Sequence, residues 1–335
     1  MGKRPKKEVY KQTGEAGYKE KKGAGKRVFF GSASIKNEIN DSCLTLDFIN
    51  RTLKNNNLSK PYKKKQKGGS VYMLYPKDWL LKLGEILMQI DFIGPRYLEG
   101  SSEPLHFLSC KYVRPFKMHL FFRIKSQTSI QVLNVFYTLF LALHLPVPDI
   151  VQMDNDSSFR GFIEREACIG RVVRWLCASG IIPLFNAPRS PWNNGSVEGG
   201  NNVFDKKFWQ GFHFESIKKV DEKLKEFNKA YETYLIPDYT KSKKEDLKHI
   251  TDPRKAKGKN LNSFPQPYLY LLRVVKERYD RFQVEALNTY FTVPSRYKGQ
   301  YVIIRIDLVQ KTIRIWQEIN NKENLLYSGP FYLNS

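Results

Sequence analysis

Three acids stand in positions that ask for a chemical explanation. Asp91 sits in the otherwise apolar run ILMQIDFI at 86–93, read as the end of a strand just before Gly94 and Pro95, and Asp154 follows the run DIVQM at 149–153 in the same way. Glu198 falls in APRSPWNNGSVEGGNN at 187–202, in the first turns of a helix that begins near Asn194, where free amides and the helix dipole favour anions. A carboxylate at the end of an apolar strand is costly unless it is solvated at an edge, paired or bound to metal. Each acid taken alone also fits a helix cap or a turn former. If the two strands are neighbours and the helix packs across them, the three carboxylates converge. Such a set binds hard cations through oxygen, with positions left for water and phosphate, as Mg²⁺ prefers. Two Mg²⁺ ions, or Mn²⁺ in their place, can clamp the attacking and leaving oxygens of a phosphodiester without a histidine base.

The elements that must position these acids follow from periodicity. Short β-compatible runs occur at 86–93, 105–113 and 118–124, and further strands are predicted at 149–153 and 181–185. Residues 128–144 carry a helical stripe of Ile130, Leu133, Phe136, Tyr137, Phe140, Leu141 and His144 that stops before Pro146. Helical patterns follow around 159–179, and amphipathic helices are predicted over 195–210 and 217–234. The order βββ, α, β, α, β, α, α predicts an α/β core over 77–236, a mixed sheet with helical cover.

The flanks read differently. Residues 1–27 form a basic arm with glycines and little apolar periodicity. Over 28–60 two short helices joined by a polar turn, the second capped by Thr45, fit a helix-turn-helix or a plain helical hairpin. The segment 61–76 is a basic linker, and 237–267, with Pro237, Pro253, Pro265 and Pro267, is a second linker. From 268 to 335, β-like runs at 282–287, 290–293, 301–306, 312–317 and 324–327 predict a small β-barrel.

Composition narrows the partner. The 335 residues are 41% hydrophobic, enough for a sizeable core, and 56 Lys and Arg against 33 Asp and Glu give a formal net charge of +23. That surplus points to a polyanion, or to a merely lysine-rich composition. Cys43, Cys110, Cys168 and Cys177 show no CxxC spacing and no zinc set, so reduced, mostly buried thiols are expected. The opening MGKRPKKEVYK lacks the apolar stretch of a secretory signal, and no run approaches the roughly 18 apolar residues of a membrane span. An intracellular, non-membrane protein is expected.

Asp91 in QIDFIGP, Asp154 in MDND followed by Phe159, and Glu198 in PWNNGSVEGGNN closely resemble the catalytic core of retroviral-type integrases and bacterial insertion-sequence transposases, which carry an Asp, Asp, Glu triad. The resemblance covers about 85–235 and, more loosely, the whole chain. It implies an RNase H-like core in which Asp91, Asp154 and Glu198 hold two Mg²⁺ ions for end cleavage and strand transfer in DNA transposition. It implies element ends and target DNA as partners, a homo-oligomer assembled on them, and a cytoplasmic, nucleoid-associated location of prokaryotic type. It further implies DNA contacts for Asn194, Gly195 and Asn202 or its neighbour Asn201. Arg189 before the loop and Lys206 and Lys207 after Glu198 are candidate phosphate contacts through counterion release, or a solvated face. Trp192 would stack on a displaced base or pack into the core. A catalytically silent transposase-derived regulator and an RNase H-type nuclease share parts of this pattern. Asp154 and Glu198 are 44 positions apart, longer than the family's usual interval, which places an insertion in 163–173. Asp156 stands where the family commonly has glycine and is a competing ligand candidate.

Overall fold

A computed structural model describes residues 32–39, 43–56, 76–161, 165–188, 190, 194–243, 264–319 and 322–334. The chain begins with α1 (Ser32–Ile39), α2 (Leu46–Asn55) and α3 (Lys77–Leu83), then β1 (Leu87–Tyr97), β2 (Pro104–Arg114) and β3 (Met118–Ile124). Next come α4 (Ser129–Phe136), continued by a π-helical turn at Tyr137–Ala142, then β4 (Ile150–Met153), α5 (Ser157–Arg160), α6 (Arg171–Ala178) and β5 (Ile182–Phe185). After them run α7 (Gly195–Val203), a π-helical turn at Phe204–Trp209, and α8 (Ile217–Leu235). The remainder is β6 (Tyr268–Val274), β7 (Lys276–Arg278), β8 (Arg281–Ala286), β9 (Thr289–Thr292), β10 (Tyr301–Asp307), β11 (Thr312–Ile319) and β12 (Lys322–Pro330).

Among the described residues, nine strands share one mixed sheet in the order β12-β11-β10-β6-β5-β4-β1-β2-β3. β1, β4, β5 and β6 run parallel at its centre, and the pairs on either side are antiparallel. β4 and β5 are buried at every position, as strands covered on both faces must be. On one face Met88, Ile90, Val151, Met153, Phe185 and Leu271 share a core with Phe136, Phe140 and Trp175 of the covering helices. On the other, Leu87, Ile150, Ile182, Leu184, Tyr270 and Leu272 meet Trp79 and Leu80 of α3, and the Trp79 ring lies 5.4 Å from Tyr270 and 6.2 Å from Trp316.

The chain divides into two compact units. One comprises Met1–Val71, Leu98–Ser102 and Gly200–Ile236; the other comprises Tyr72–Tyr97, Glu103–Gly199 and Pro237–Ser335 and contains the sheet. In the helical unit, Thr45 caps α2 by accepting the Phe48 amide at 3.2 Å, as expected, and Ile35, Ile39 and Leu53 pack around Leu44 and Ile49. α8 buries Val220, Leu224, Phe227 and Tyr231 at helical spacing, and Phe208 packs its ring 5.3 Å from Phe227.

Several expectations need correction. The strands of 268–335 do not form a separate small barrel: β6 pairs in parallel with β5 through Leu184–Tyr270 and Phe185–Leu271, and β10, β11 and β12 extend the sheet from it. The reason is the sequence of β6, buried along five consecutive positions and so in need of cover on both faces. Only β7, β8 and β9 form a sheet of their own. The expected core over 77–236 therefore gains the C-terminal strands, while 200–236 belongs to the helical unit. The described start of the 237–267 linker is docked, with Tyr239 stacked 5.2 Å from Phe116 and the Ser242 amide donating to the His144 carbonyl. Cys43 is exposed, whereas the other three cysteines are buried, and none of the four is in a disulfide. The basic arm at 1–27, the linker over 61–75 and residues 244–263 lie outside the described residues. No helix among the described residues is long and apolar enough to cross a membrane.

Candidate active site

Strand register brings the two aspartates level. Gln89 pairs with Gln152 across the parallel β1 and β4, so Asp91 and Asp154, each two residues further on, come level on the same face; Asp154 follows the last residue of β4, whereas Asp91 stands within β1, which runs on to Tyr97 instead of ending at the acid as expected. Asp91 also pairs with Ser109 on β2, and Gln89 with Lys111, which itself pairs with His119 on β3. Across the face, a row of His119, Lys111, Gln89 and Gln152 therefore precedes a row of Ser109, Asp91 and Asp154. A polar band replaces the apolar side chains that cover the rest of this face.

Hydrogen bonds run through that band. The Gln152 amide donates to the Asn186 side-chain oxygen at 2.6 Å, the Gln89 amide donates to Gln152 Oε1 at 2.9 Å, and the Val197 backbone N–H donates to Gln89 Oε1 at 3.1 Å. Lys111 Nζ donates to the Ser196 carbonyl at 2.7 Å. The first turn of α7, and Glu198 with it, is thus fastened to the strands that carry Asp91 and Asp154. Burial, with the charge of Lys117 adding to it, lowers the Lys111 pKa; burial, with Lys111 adding, holds His119 well below its usual value. The His119 ring is buried and 2.6 Å from the Ser109 hydroxyl.

Asp154 begins the turn that leads into α5. Its Oδ1 accepts the Asp156 amide at 3.0 Å, and Asp156 in turn accepts the Ser158 amide at 2.8 Å as the cap of α5. On the opposite face of the sheet Phe92 stacks on Phe159 with ring centroids 4.6 Å apart, which pins this turn to β1. Asp154 has solvent on one side and dense protein on the other. Partial desolvation raises its pKa; the Asp156 amide opposes that shift and the Asp156 carboxylate adds to it. Desolvation likewise raises the Glu198 pKa.

Asp91, Asp154, Asp156 and Glu198 line one cavity of about 360 Å³, together with Asn155, Asn186, Ser190 and Asn194. Among the described residues its donors are oxygen and amide groups, with no lysine, arginine or histidine in the wall. Asn194 is buried and donates to the Ile90 carbonyl at 3.3 Å, while its side-chain oxygen has no hydrogen-bond partner. This donor set suits a hard divalent cation in its chemistry. Among the described residues, however, no three His, Cys, Asp or Glu side chains are gathered closely enough to hold one ion, so the acids share a cavity wall rather than a finished coordination sphere.

Behind the cavity lies a buried charge network that the sequence reading did not include. Arg273 of β6 donates to the Asn186 carbonyl at 3.1 Å, to Asn155 Oδ1 at 3.0 Å and to Glu285 Oε2 at 3.1 Å, and Arg160 donates to Glu285 Oε1 at 2.6 Å. Burial pulls the Arg273 pKa down to about 10, against the pull of Glu285. Burial also pushes Glu285 up, but Arg273, Arg160 and the Asn288 amide together hold it below its usual range. The available signal was a lone arginine inside the apolar run 268–275. Gly170 N–H donates to the Arg160 carbonyl, which closes a loop, and the Ala167 amide reaches the Leu287 carbonyl. Gly161, at φ 103°, stands where a Cβ would meet the Gly170 Cα at 2.5 Å, so the neck of that loop requires glycine.

No protein-family model matches the chain, and no curated protein matches it. Among solved structures it has a slight likeness to the C-terminal lobe of a budding yeast Argonaute, at 8% identity and a TM-score of 0.15. That alignment covers 78% of this chain and 41% of the other. A likeness of that size carries no argument about fold or activity.

Of the residues expected at the site, Asp91, Asp154, Glu198 and Asn194 line the cavity, as does the competing candidate Asp156. Gly195 opens α7 without lining the cavity. Asn202, Lys206 and Lys207 belong to the helical unit, the two lysines within the π-helical turn. Arg189 and Trp192 lie outside the described residues.

Proposed function

We propose that the chain is a DDE-type polynucleotidyl transferase, a transposase or integrase with an RNase H-like core that cleaves element ends and joins them to target DNA. The observation that carries this reading is the lining of one cavity by Asp91, Asp154 and Glu198, the first two level on adjacent parallel strands and the third on the helix fastened to them. Asp91 and Asp154 would hold one Mg²⁺ and Glu198 would complete a second site, with Asp156 kept near its role as a helix cap. Bound Mg²⁺ would supply Lewis acidity toward a phosphodiester oxygen and a more acidic water or 3′-hydroxyl.

The chain's own residues do the remaining work. The polar band orients the acids, and the buried Asn194 oxygen offers an acceptor at the cavity wall. A net charge of +23 draws DNA toward the protein, with Lys206, Lys207 and Arg189 as phosphate contacts. Assembly of at least two copies on DNA and a place on the nucleoid belong to the same reading.

Incubation of the full chain with supercoiled plasmid, with duplexes of the DNA on either side of its coding region, searched for inverted repeats, and with an RNA–DNA hybrid tests the proposal. Mg²⁺- or Mn²⁺-dependent nicks that leave 3′-hydroxyl ends, followed by strand joining, are expected. Cleavage confined to the hybrid would replace this reading with an RNase H-type nuclease, and DNA binding with no cleavage would replace it with a silent regulator.

A further inference from the structure

One line of hydrogen bonds passes beside all three acids. Gln152 lies two residues before Asp154, Gln89 two before Asp91, and Val197 one before Glu198, and the bonds run from Gln152 through Gln89 to Val197. The direction of the line is determined at its ends. The Val197 amide can only donate, and as a first-turn N–H it has no acceptor within its own helix, so Gln89 must present its oxygen there. The Gln89 nitrogen then faces Gln152 Oε1, which leaves the Gln152 nitrogen for Asn186. Gln89 and Gln152 are 5% and 0% exposed in strands otherwise packed with apolar side chains, where packing alone would be served by leucine. Lys111, paired with Gln89 across β1 and β2, ties the same turn of α7 through the Ser196 carbonyl.

We infer that Gln89, with Lys111 beside it, is a positioning residue that sets the place of Glu198 relative to Asp91 and Asp154. The inference rests on reading the three acids as a cation site, and it adds two residues to that site that touch no cation themselves. Outer partners of this kind typically alter metal affinity by about 10- to 100-fold when removed.

Mn²⁺ titration of the full chain, followed by electron paramagnetic resonance of the free ion and accompanied by thermal unfolding, tests it. Gln89→Met and Lys111→Met are each expected to weaken Mn²⁺ binding about tenfold or more while unfolding stays cooperative. Loss of the Lys111 charge alone would tighten Mn²⁺ binding, so weakening in that variant has the sign that only positioning gives. Glu198→Gln should weaken binding comparably, and adding Gln89→Met to it should cost nothing further, because both act through the same ligand. Wild-type affinity in both methionine variants, or a full additional loss in the Gln89→Met, Glu198→Gln double variant, overturns the inference. Should Gln89→Met fail to fold, the same cycle with Lys111→Met decides, and unchanged or tighter binding there overturns it. Mn²⁺ binding indifferent to both Asp154→Asn and Glu198→Gln instead overturns the reading of the site.

Discussion

The side-chain amides of Gln89 and Gln152 are hydrogen bonded at 2.9 Å across two parallel strands, and each lies two residues before an acid of the candidate site. A buried polar pair of this kind selects one register, because a slip of either strand by one residue would turn its amide into the apolar core on the other face and part it from its partner. Gln152→Leu removes the Gln89 donor's acceptor and the donor that Asn186 accepts. A loss of about 1–3 kcal/mol in unfolding free energy is expected, read from urea denaturation.

Arg273 joins the C-terminal strands to the rim of the cavity, through Asn155, Asn186 and Glu285. Arg273→Met leaves the half-buried Glu285 with Arg160 as its remaining cation and takes a donor from Asn155 and Asn186, a change expected to cost about 1–3 kcal/mol. Arg273→Lys should recover little of that, because an ammonium cannot span three acceptors with a planar fork. Chemical denaturation of the two variants beside wild type measures both effects.

Asp154 gives a pH-dependent signature. Its folded-state pKa is raised, chiefly by desolvation, so the ionised form costs the folded state: stability is fully present below the unfolded value and is lost as pH rises through the folded one. Without divalent cation near neutral pH, Asp154→Asn is therefore expected to raise the melting temperature, by a few degrees at most. The gain should vanish below the ordinary carboxylate value of about 3.9. Millimolar Mg²⁺ should raise the melting temperature of wild type and not of Asp154→Asn. Differential scanning calorimetry at neutral and acidic pH, with and without Mg²⁺, reads all three differences.

Much of the central sheet is legible in the sequence because its strands are short apolar runs bounded by turn residues. The runs at 86–93, 118–124 and 181–185 appear as Leu87–Tyr97, Met118–Ile124 and Ile182–Phe185, and Asp91 within the first stands out by its charge among apolar neighbours. What holds those acids is not legible in the same way. Gln89 reads as one more strand residue until its partner is known, and that partner is 63 positions away. Arg273 reaches Asn155 across 118 positions, a contact that no local pattern encodes. The strand Tyr268–Val274 passed as the start of a separate domain, although its uninterrupted apolar run is that of a strand covered on both faces.

Lys206 and Lys207 are adjacent in the π-helical turn at Phe204–Trp209. As phosphate contacts, each should reduce the slope of log affinity against log salt by about 1 when replaced by alanine. Fluorescence anisotropy with a labelled duplex, repeated over a range of salt concentrations, measures the slope. An unchanged slope would assign both lysines to a solvated face.

Divalent-cation-dependent cleavage of end-bearing and supercoiled DNA by wild type, Asp91→Asn, Asp154→Asn and Glu198→Gln tests the central claim most directly. The account predicts nicking and strand joining by wild type, a loss on the order of a hundredfold or more in each variant, and DNA binding that is largely retained. Robust turnover by any of the three variants, or no cleavage by wild type with Mg²⁺ or Mn²⁺, would contradict it.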